Sequence, residues 1–338
     1  MAVTERTAPP FPVVALGASA GGVEALWDVL SALPPGLRAA LLVVMHIPAD
    51  APSQLHRVLA RRSPLPVKMA QDGELLRPAQ VYVPPADHHL MLEGDLLRVA
   101  RGPRECRVRP AVNVLFRSVA ESCGARAIGV VLSGTLDDGT AGLWVIKDRG
   151  GRAFVQAPED ALYDAMPRSA LEHVQVDGVA PAAALAAIVA AAVRAASEAP
   201  APVAPALGLE SRISAGGAEV EKVMELGRPS NYACPECHGV LTEIEEGPIV
   251  RFRCHAGHAY SLRTLAAELD RAIDDSLWST IRALEERLML LAQEATRSGA
   301  SPATREQLAR VRRRLDELRA MAVSPEAPPP AEALSGGS

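Results

Sequence analysis

Aromatic side chains are scarce in this chain, making up 3% of its 338 residues, although 49% of the residues are hydrophobic. A core built from this sequence must therefore consist mainly of alanine, valine and leucine, which suits a sheet covered by alanine-rich helices. An excess of positive charge is lacking as well, since the formal net charge at pH 7 is −5. The overall charge gives no electrostatic argument for nucleic-acid binding.

Cysteine is also rare, and two of the five residues, Cys106 and Cys123, stand far from the other three. This distribution does not form the framework of a secreted disulfide-rich protein. Residues 1–12 contain charged side chains and are not followed by a long apolar segment, which excludes a typical secretory signal. The apolar stretch 179–193 is short and dominated by alanine, which predicts a packed helix. We therefore expect a cytoplasmic protein with no membrane insertion.

A glycine-rich run, Gly-Ala-Ser-Ala-Gly-Gly at 17–22, follows the apolar residues 13–16. This pattern predicts a strand that turns sharply into a helix, with Ser19 at the turn, and it fits the Gly-x-Ser-x-Gly pattern of an exposed nucleophile. Amides at the new helix N-terminus can stabilise a developing negative charge. Taken alone, the run is equally compatible with a phosphate-binding loop or a plain turn.

Two further apolar segments end in side chains that can carry out chemistry. Residues 41–45 lead directly into His46, and residues 128–132 lead into a loop that contains Asp137 and Asp138. In open α/β sheets, functional groups gather at the carboxyl ends of the strands. The three ends therefore supply a hydroxyl nucleophile, a general base and an orienting carboxylate. The order Ser, His, Asp differs from that of α/β-hydrolases and disfavours that family.

Apolar runs and helical patterns alternate along residues 13–197, which predicts an α/β fold with a doubly wound, mostly parallel sheet and helices on both faces. The expected strands cover 13–17, 40–45, 127–132 and 152–156, and the expected helices cover 21–32, 52–62, 138–149 and 181–197. Residues 81–83, together with the pairs 91–92 and 96–97 on either side of Glu93-Gly94-Asp95, predict a hairpin inserted on the sheet.

Residues 13–193 resemble the catalytic domain of CheB-type protein-glutamate methylesterases, which demethylate chemotaxis receptors. The matching segments are GASAGG at 17–22, HIP at 46–48, RPAVNVLF at 109–116, SGTLDDGTAG at 133–142 and AMPRSA at 165–170. The resemblance implies that Ser19 is the nucleophile, His46 the base and Asp138 the orienting carboxylate. Asp138 is preferred to Asp137 because the aspartate of the family directly precedes the glycine.

The resemblance also predicts a set of pocket residues. Backbone amides at Ala20 and Thr135 are expected to stabilise an oxyanion, and Arg109, Met166 and Arg168 lie in matching segments that are expected to line the pocket. The family usually has threonine and methionine where Ala20 and Thr135 stand, which is tolerable if both act through backbone amides.

Two polar positions also depart from the family, which usually has aspartate where Asn113 stands and asparagine where Asp137 stands. Five arginines follow the predicted hairpin, namely Arg98, Arg101, Arg104, Arg107 and Arg109. They form either a basic rim that attracts acidic receptor helices or an ordinary solvated loop. We favour the solvated loop for most of them, with Arg109 as the functional candidate.

The function implied by the resemblance is hydrolysis of glutamyl methyl esters on methyl-accepting chemotaxis receptors, with release of methanol and no catalytic cofactor. Deamidation of receptor glutamines would use the same residues. Two alternatives stay open: a non-catalytic scaffold that binds partners, and an esterase or amidase that acts on another protein. Family members commonly carry an N-terminal receiver domain, whereas here about twelve residues precede the first strand. We therefore expect constitutive activity or control by the C-terminal region.

A second constellation follows the alanine- and proline-rich segment within 198–228, which predicts an extended linker. Cys234, Cys237, Cys254 and His258 have the spacing of a structural zinc site in a zinc-ribbon-like module over 229–262. The alternatives at this point are His255 or His238 as the histidine ligand, a set of free cysteines, and a redox-active Cys-x-x-Cys pair.

Residues 263–322 contain leucine and isoleucine at helical spacing on either side of a break near 298–302, which predicts an antiparallel helical hairpin. Pro302 suits the first turn of the second helix. The apolar seam either packs internally, which we favour, or forms a homodimer. Residues 1–12 and 323–338 are expected to be disordered.

Overall fold

The computed structural model describes residues 7–47, 53–197, 208–216, 219–299 and 301–323. The chain divides into two compact units, Met1–Leu265 and Ala266–Ser338. The first unit contains a seven-stranded sheet, a two-stranded sheet and a four-stranded sheet. Its first nine strands are β1 Val13–Ala18, β2 Ala40–Met45, β3 Val67–Met69, β4 Val81–Val83, β5 His89–Glu93, β6 Leu96–Ala100, β7 Ala127–Val131, β8 Arg152–Gln156 and β9 Gly178–Ala180.

The seven-stranded sheet has the order β3-β4-β2-β1-β7-β8-β9, and every neighbouring pair is parallel. Strand β1 lies in the middle, with β2 on one side and β7 on the other. Such a reversal of strand order is the place where open α/β sheets form a crevice at the carboxyl ends of their strands. The predicted doubly wound parallel sheet is confirmed.

Two helical layers cover this sheet. The helices are α1 Gly22–Ser31, α2 Leu55–Ala60, α3 Val112–Cys123, α4 Thr140–Asp148, α5 Ala165–His173 and α6 Ala182–Ser197. The buried side chains of β1 alternate between the layers, as expected for a strand covered on both faces. Val14 and Leu16 join the core that contains α1, α2 and α6. Val13 and Ala15 join the core that contains α3, α4, α5 and the β5–β6 hairpin.

Several local predictions differ from the structure. Residues 81–83 form β4 inside the parallel sheet, because all three side chains are buried and the strand pairs with both β2 and β3. The hairpin is made by β5 and β6 alone. The helix predicted over 52–62 is shorter, since α2 covers Leu55–Ala60. Helices α3 and α5 and the short strands β3 and β9 were not predicted.

The ends of the predicted catalytic domain also differ. Disorder predicted for residues 1–12 does not extend to the end of that range, because Pro9 and Pro12 are buried and Arg126 Nη1 donates to the Pro9 carbonyl at 3.2 Å. Residues 198–207 of the predicted linker lie outside the described residues. The rest of the predicted connecting segment contains helix α7, Leu209–Ser214, and a 3₁₀ helix over Glu219–Leu226.

The last strands of the first unit form a small antiparallel sheet with the order β10-β11-β12-β13. They are β10 Arg228–Ala233, β11 Val240–Glu246, β12 Ile249–Cys254 and β13 Ala259–Ser261. Its core includes Leu241, Phe252 and Tyr260, which pack with two of the cysteines. We call residues 228–265 the Cys/His module.

The second unit is a helical hairpin made by most of α8, Leu262–Ser298, and by α9, Pro302–Val323. Helix α9 begins at Pro302, as predicted, and Ile281, Val311 and Leu315 are buried in the hairpin. None of the described helices combines the length and the hydrophobicity that crossing a lipid bilayer requires.

Candidate active site

Three neighbouring strands of the central sheet end at the candidate site. Ser19 follows β1, His46 follows β2, and Asp138 lies in the loop after β7. Backbone hydrogen bonds hold these ends together: His46 N donates to Ala18 O at 3.2 Å and Ser19 N donates to Ser133 O at 2.9 Å. The parallel pairing of β2, β1 and β7 therefore brings together three side chains that are far apart in the sequence.

The imidazole of His46 lies between the other two side chains. Its Nδ1 is 3.0 Å from the hydroxyl of Ser19, and its Nε2 is 2.8 Å from Oδ2 of Asp138. When Nε2–H donates to the carboxylate, Nδ1 is unprotonated and can accept the proton of the hydroxyl. Asp138 is 2% exposed and His46 is 16% exposed, so the carboxylate is shielded while the ring reaches the surface.

The carboxylate of Asp138 is fixed by the first turn of α3. Oδ2 accepts a hydrogen bond from Val112 N at 2.7 Å, and Oδ1 accepts one from Asn113 N at 2.9 Å. Amides at a helix N-terminus favour a negative charge, so this position stabilises the buried carboxylate. These bonds and the bond to His46 satisfy both oxygens.

Asn113 makes a second connection that the sequence analysis missed. Its Oδ1 accepts hydrogen bonds from Gly139 N at 3.0 Å and Gly142 N at 2.8 Å, which joins α3 to the start of α4. The resemblance of RPAVNVLF to the family was the only sign in the sequence that Asn113 matters. That resemblance does not show which backbone groups the Asn113 side chain binds. Asn113 therefore positions the loop that carries Asp138.

The turn after Ser19 supplies free amides. Within the described part of the chain, the amides of Ala20 and Gly21 have no hydrogen-bond acceptor. Ser133 holds this turn, because its hydroxyl donates to the carbonyl of Ala20 at 2.8 Å. Thr135 lies on the neighbouring loop and is exposed. The predicted oxyanion residues thus lie on the two loops that flank the Ser19 hydroxyl.

Gly134 allows these two loops to approach each other. A Cβ at this position would lie 2.8 Å from the Cβ of Ser19 and 2.1 Å from the Sδ of Met166. Met166 is fully buried, so it supports the loop from behind. Of the predicted pocket residues, Met166 is therefore next to the site through its contact with Gly134.

The two predicted arginines have different positions. Arg109 lines a cavity of about 290 Å³ that also borders His46. Its guanidinium is bound to Asp87, with Nη2 2.8 Å from Oδ1. Arg168 is exposed and pairs with Asp164, the residue that precedes α5, with Nε 2.5 Å from Oδ2. The structure therefore brings Arg109 to the edge of the site and leaves Arg168 paired on the surface.

Of the other arginines in the predicted rim, two pair with nearby carboxylates and two line the cavity beside His46. Arg101 pairs with Asp87, and Arg98 lies 3.6 Å from a carboxylate oxygen of Asp72. Arg104 and Arg107 line the cavity beside His46. The cavity next to the imidazole is therefore lined by Arg104, Arg107 and Arg109 together with Asp87, whereas Arg98 and Arg101 pair with carboxylates of neighbouring residues.

The Cys/His module brings Cys234, Cys237, Cys254 and His258 together, with all four ligand atoms within 4.8 Å of one another. His258 Nδ1 is 3.7 Å from Cys234 Sγ and 3.6 Å from Cys254 Sγ, and the Sγ atoms of Cys237 and Cys254 are 3.5 Å apart. Tetrahedral zinc with bonds of about 2.3 Å to sulfur and 2.0 Å to nitrogen needs such separations. The geometry therefore fits a tetrahedral metal ion.

A second layer of side chains surrounds this cluster. The Tyr260 hydroxyl is 3.5 Å from Cys234 Sγ and donates to Glu236 at 2.7 Å. Glu236 also lies 3.7 Å from Nε2 of His258, a position from which it can orient the ring. Neither His255 nor His238 belongs to the cluster.

Comparisons with known proteins agree on the first part of the chain. A family model described as CheB methylesterase matches residues 14–189. A protein-glutamate methylesterase/protein-glutamine glutaminase of Bradyrhizobium diazoefficiens is 39% identical over 173 residues, which are 50% of this chain and 47% of that protein. A putative protein of the same description from Leptospira interrogans is 36% identical over 170 residues, 50% of this chain and 88% of that protein.

A solved structure gives the same result. The CheB methylesterase catalytic domain of Thermotoga maritima is similar with a TM-score of 0.52 and 31% identity, over 54% of this chain and 98% of that chain. The chain spans about half the length of two of the curated relatives, 47% of the Bradyrhizobium protein and 52% of one from Methanosarcina acetivorans. The family match ends before the Cys/His module.

Proposed function

This chain belongs to the CheB methylesterase family through residues 14–189, and we propose on that premise that it hydrolyses glutamyl methyl esters of methyl-accepting chemotaxis receptors. The observation that carries the proposal is the pair of hydrogen bonds at His46, 3.0 Å to Ser19 and 2.8 Å to Asp138. The names of the relatives support the ester substrate and add glutaminase activity. Chemotaxis receptors are accordingly the proposed partners.

The proposed reaction proceeds through an acyl-enzyme. Nδ1 of His46 takes the proton of the Ser19 hydroxyl as Oγ attacks the ester carbonyl, and Asp138 stabilises the imidazolium. The amides of Ala20 and Thr135 stabilise the oxyanion, at about 3–4 kcal/mol per donor. His46 then returns the proton to the departing methoxide, which leaves as methanol. Water, deprotonated by His46, hydrolyses the acyl-enzyme and releases the glutamate side chain. A glutamine would follow the same steps and release ammonia.

Methanol release from membranes that carry methylated receptors tests this proposal. Ser19→Ala should lower the rate by about 10⁴-fold or more, because the nucleophile of a triad acts as a unit with its base. Ser276→Ala is a matched control, since among the described residues that hydroxyl bonds only to the Ala272 carbonyl on its own helix. Equal rates for wild type and Ser19→Ala would contradict the mechanism, and no methanol release by the wild type would contradict the substrate.

A non-catalytic scaffold is not favoured, because all three side chains lie within proton-transfer distance. We also propose a cytoplasmic location. Cys106 and Cys123 support it, since both are buried and unpaired, as is usual in a reducing compartment. The homodimer predicted for the C-terminal helices stays a prediction.

We further propose that Cys234, Cys237, Cys254 and His258 hold a structural zinc ion in a zinc-ribbon-like module. Four protein ligands leave no open position, so the ion would stabilise the fold and take no part in the reaction. Elemental analysis of protein prepared without chelator should find about one zinc per chain. His258→Ala should lose the metal, while His255→Ala should keep it. Metal-free wild type, or equal metal content in the two variants, would contradict the assignment.

A further inference from the structure

The Cys/His module is joined to the catalytic domain by buried charges. Three guanidinium groups and three carboxylates meet there; they belong to Arg117, Arg251, Arg253, Glu105, Glu210 and Glu246, and we call them the charge cluster. The side chains are between 1% and 16% exposed. Arg253 of β12 lies 3.0 Å from Glu105 of the catalytic domain and 2.9 Å from Glu210 of α7.

Within the charge cluster, the Glu105 carboxyl is ionised. Burial alone would raise the pKa of the Glu105 carboxyl, but the guanidinium groups of Arg117, Arg253 and Arg251 lower that pKa to about 2. Glu105 therefore stays negatively charged at neutral pH and cannot separate from Arg253 without leaving a buried charge uncompensated. The pairing of Glu105 thus fixes one point of the catalytic domain to β12 of the module.

Glu105 belongs to residues 103–110, the segment that leads into α3, and the backbone of this segment is also bonded to the module. Cys106 N donates to Ala259 O at 2.7 Å, and Ala259 N donates to Arg104 O at 3.1 Å. Cys106 and Arg107 have φ values of +52° and +60°. Non-glycine residues adopt this left-handed conformation only at an energetic cost, so their surroundings must hold them there.

The same segment forms part of the cavity wall next to the imidazole. Arg104 and Arg107 border the cavity beside His46. A second contact of the module reaches the opposite loop, where Ser261 Oγ donates to Oδ1 of Asp137 at 2.8 Å, next to Asp138. The module therefore contacts both loops that surround the His46 ring.

The metal ligands adjoin the residues that make these contacts. Cys254 directly follows Arg253, and His258 directly precedes Ala259. We propose that the Cys/His module is a metal-dependent positioning element of the active site, which holds residues 103–110 so that Arg104 and Arg107 bind an acidic stretch beside the ester. This inference rests on the proposed function, and it makes Arg104 and Arg107 residues that determine specificity for acidic substrates.

The test uses the full chain with its metal, after chelation, and after zinc is added back. Hydrogen exchange at residues 103–110 should become faster on chelation and recover with zinc, because the bond from Cys106 to Ala259 is released. The KM for an acidic peptide that carries a glutamyl methyl ester should rise about tenfold, as expected for the loss of weak contacts made by charges at the rim. The kcat for a small neutral ester should change by a smaller factor than this KM, because the module contacts the loops beside the triad and not its three side chains.

A double variant, Arg104→Ala with Arg107→Ala, keeps the test decisive if chelation unfolds the chain. It should raise the KM for the acidic peptide by a larger factor than the KM for the neutral ester, and chelation should then raise the peptide KM no further. Ser230→Ala is the matched control on the module, because in the part of the chain that the structure describes its hydroxyl bonds only within β10.

Two results would overturn the proposal: unchanged exchange at 103–110 after the metal has been removed, or an unchanged KM for the acidic peptide in the double variant. Failure of the proposed function has a different signature. In that case the wild type would hydrolyse the neutral ester but not the peptide ester. Hydrogen exchange at residues 103–110 would still show whether the metal holds that segment in place.

Discussion

At the scale of the residue, Asp137 and Asp138 are neighbours with different partners. Both are buried, but Asp138 binds His46 and the first turn of α3, whereas Asp137 binds Ser261. Burial raises the pKa of the Asp137 carboxyl. The adjacent aspartates therefore have separate roles, one toward the imidazole and one toward the Cys/His module.

Replacing each aspartate by asparagine separates these roles. Asp138→Asn should lower kcat by about 10⁴-fold, because the amide cannot stabilise the imidazolium or fix its tautomer. Asp137→Asn should leave kcat nearly unchanged, since its amide oxygen still accepts the Ser261 hydroxyl. Steady-state hydrolysis of a small ester by both variants measures the difference. Equal losses would contradict the choice of Asp138.

His89 makes stability depend on pH. Its ring is fully buried, with Nε2 2.9 Å from the Pro103 carbonyl and Nδ1 accepting from Ala111 N at 3.2 Å. Burial lowers the pKa of this imidazole to about 4. The unfolded chain, with an ordinary histidine pKa of about 6.5, therefore binds the proton first as the pH falls.

The free energy of unfolding should accordingly fall between about pH 6.5 and about pH 4, with a loss of about 2 kcal/mol from this group between pH 7 and pH 5. Denaturant unfolding at the two pH values should show a smaller difference for His89→Gln than for wild type. The same difference in both proteins would show that another group is responsible.

At the scale of the element, the turn between β11 and β12 needs glycine for two reasons. Gly247 has a φ of +58°, and a Cβ there would lie 2.2 Å from the ring of Trp144 on α4. Gly73 has a comparable φ of +74° but no atom within 4 Å of its ideal Cβ. Substitution of Gly73 therefore measures the cost of the left-handed backbone alone, and substitution of Gly247 measures that cost together with steric overlap.

Gly73→Ala should cost about 1–2 kcal/mol, the usual cost of a left-handed backbone for an L-residue. Gly247→Ala should cost about 1–3 kcal/mol more, because the methyl group also displaces Trp144. Denaturant unfolding measures both free energies. Equal costs for the two variants would mean that the β11–β12 turn can move away from α4 freely.

At the scale of the whole molecule, the charge cluster ties together parts of the chain that are remote in sequence. Glu210 binds Arg251 and Arg253 from the module, and lies 3.4 Å from Arg117 of α3. The Arg117 and Arg251 guanidinium groups lower the pKa of the Glu210 carboxyl against the effect of burial. A single carboxylate thus compensates charges from two domains.

Glu210→Ala should therefore lower the free energy of unfolding by about 3–5 kcal/mol, since it leaves buried guanidinium groups without their partner. Glu245→Ala is the matched control, because its pair with Arg228 is exposed and should contribute little. Thermal unfolding of both variants measures the effect. A loss in Glu210→Ala as small as in the control would mean that water or another carboxylate replaces it.

Much of this molecule could be predicted from its sequence, because its central strands are continuous apolar runs. The ends of β1, β2 and β7 could be located from those runs, and their neighbouring positions in the sheet bring the triad together. Helix α3, which was not predicted, carries the pattern of an amphipathic helix, with apolar residues at 112, 115, 116, 119 and 120 and with Asn113 and Arg117 on the other face. That polar face is buried in the structure, where its side chains bind other parts of the protein.

The long-range contacts could not be predicted. Arg253 and Glu105 are 148 residues apart, and each looks like an ordinary surface charge in its local sequence. Strands β3 and β9 have three residues each, too few for an alternating pattern to be recognised. The sequence therefore predicted three side chains that the structure brings together at the candidate site, while the groups that position them depend on tertiary packing.

The charge cluster limits how this architecture can be recombined. A gene fusion that moved the Cys/His module onto a different esterase would carry Arg251 and Arg253 away from Glu105 and Glu210. The transferred arginines would pack against a surface that lacks the matching carboxylates. The original protein would keep buried glutamates without their arginine partners. Exchange of this module among enzymes would therefore require its ionic partners to be transferred with it.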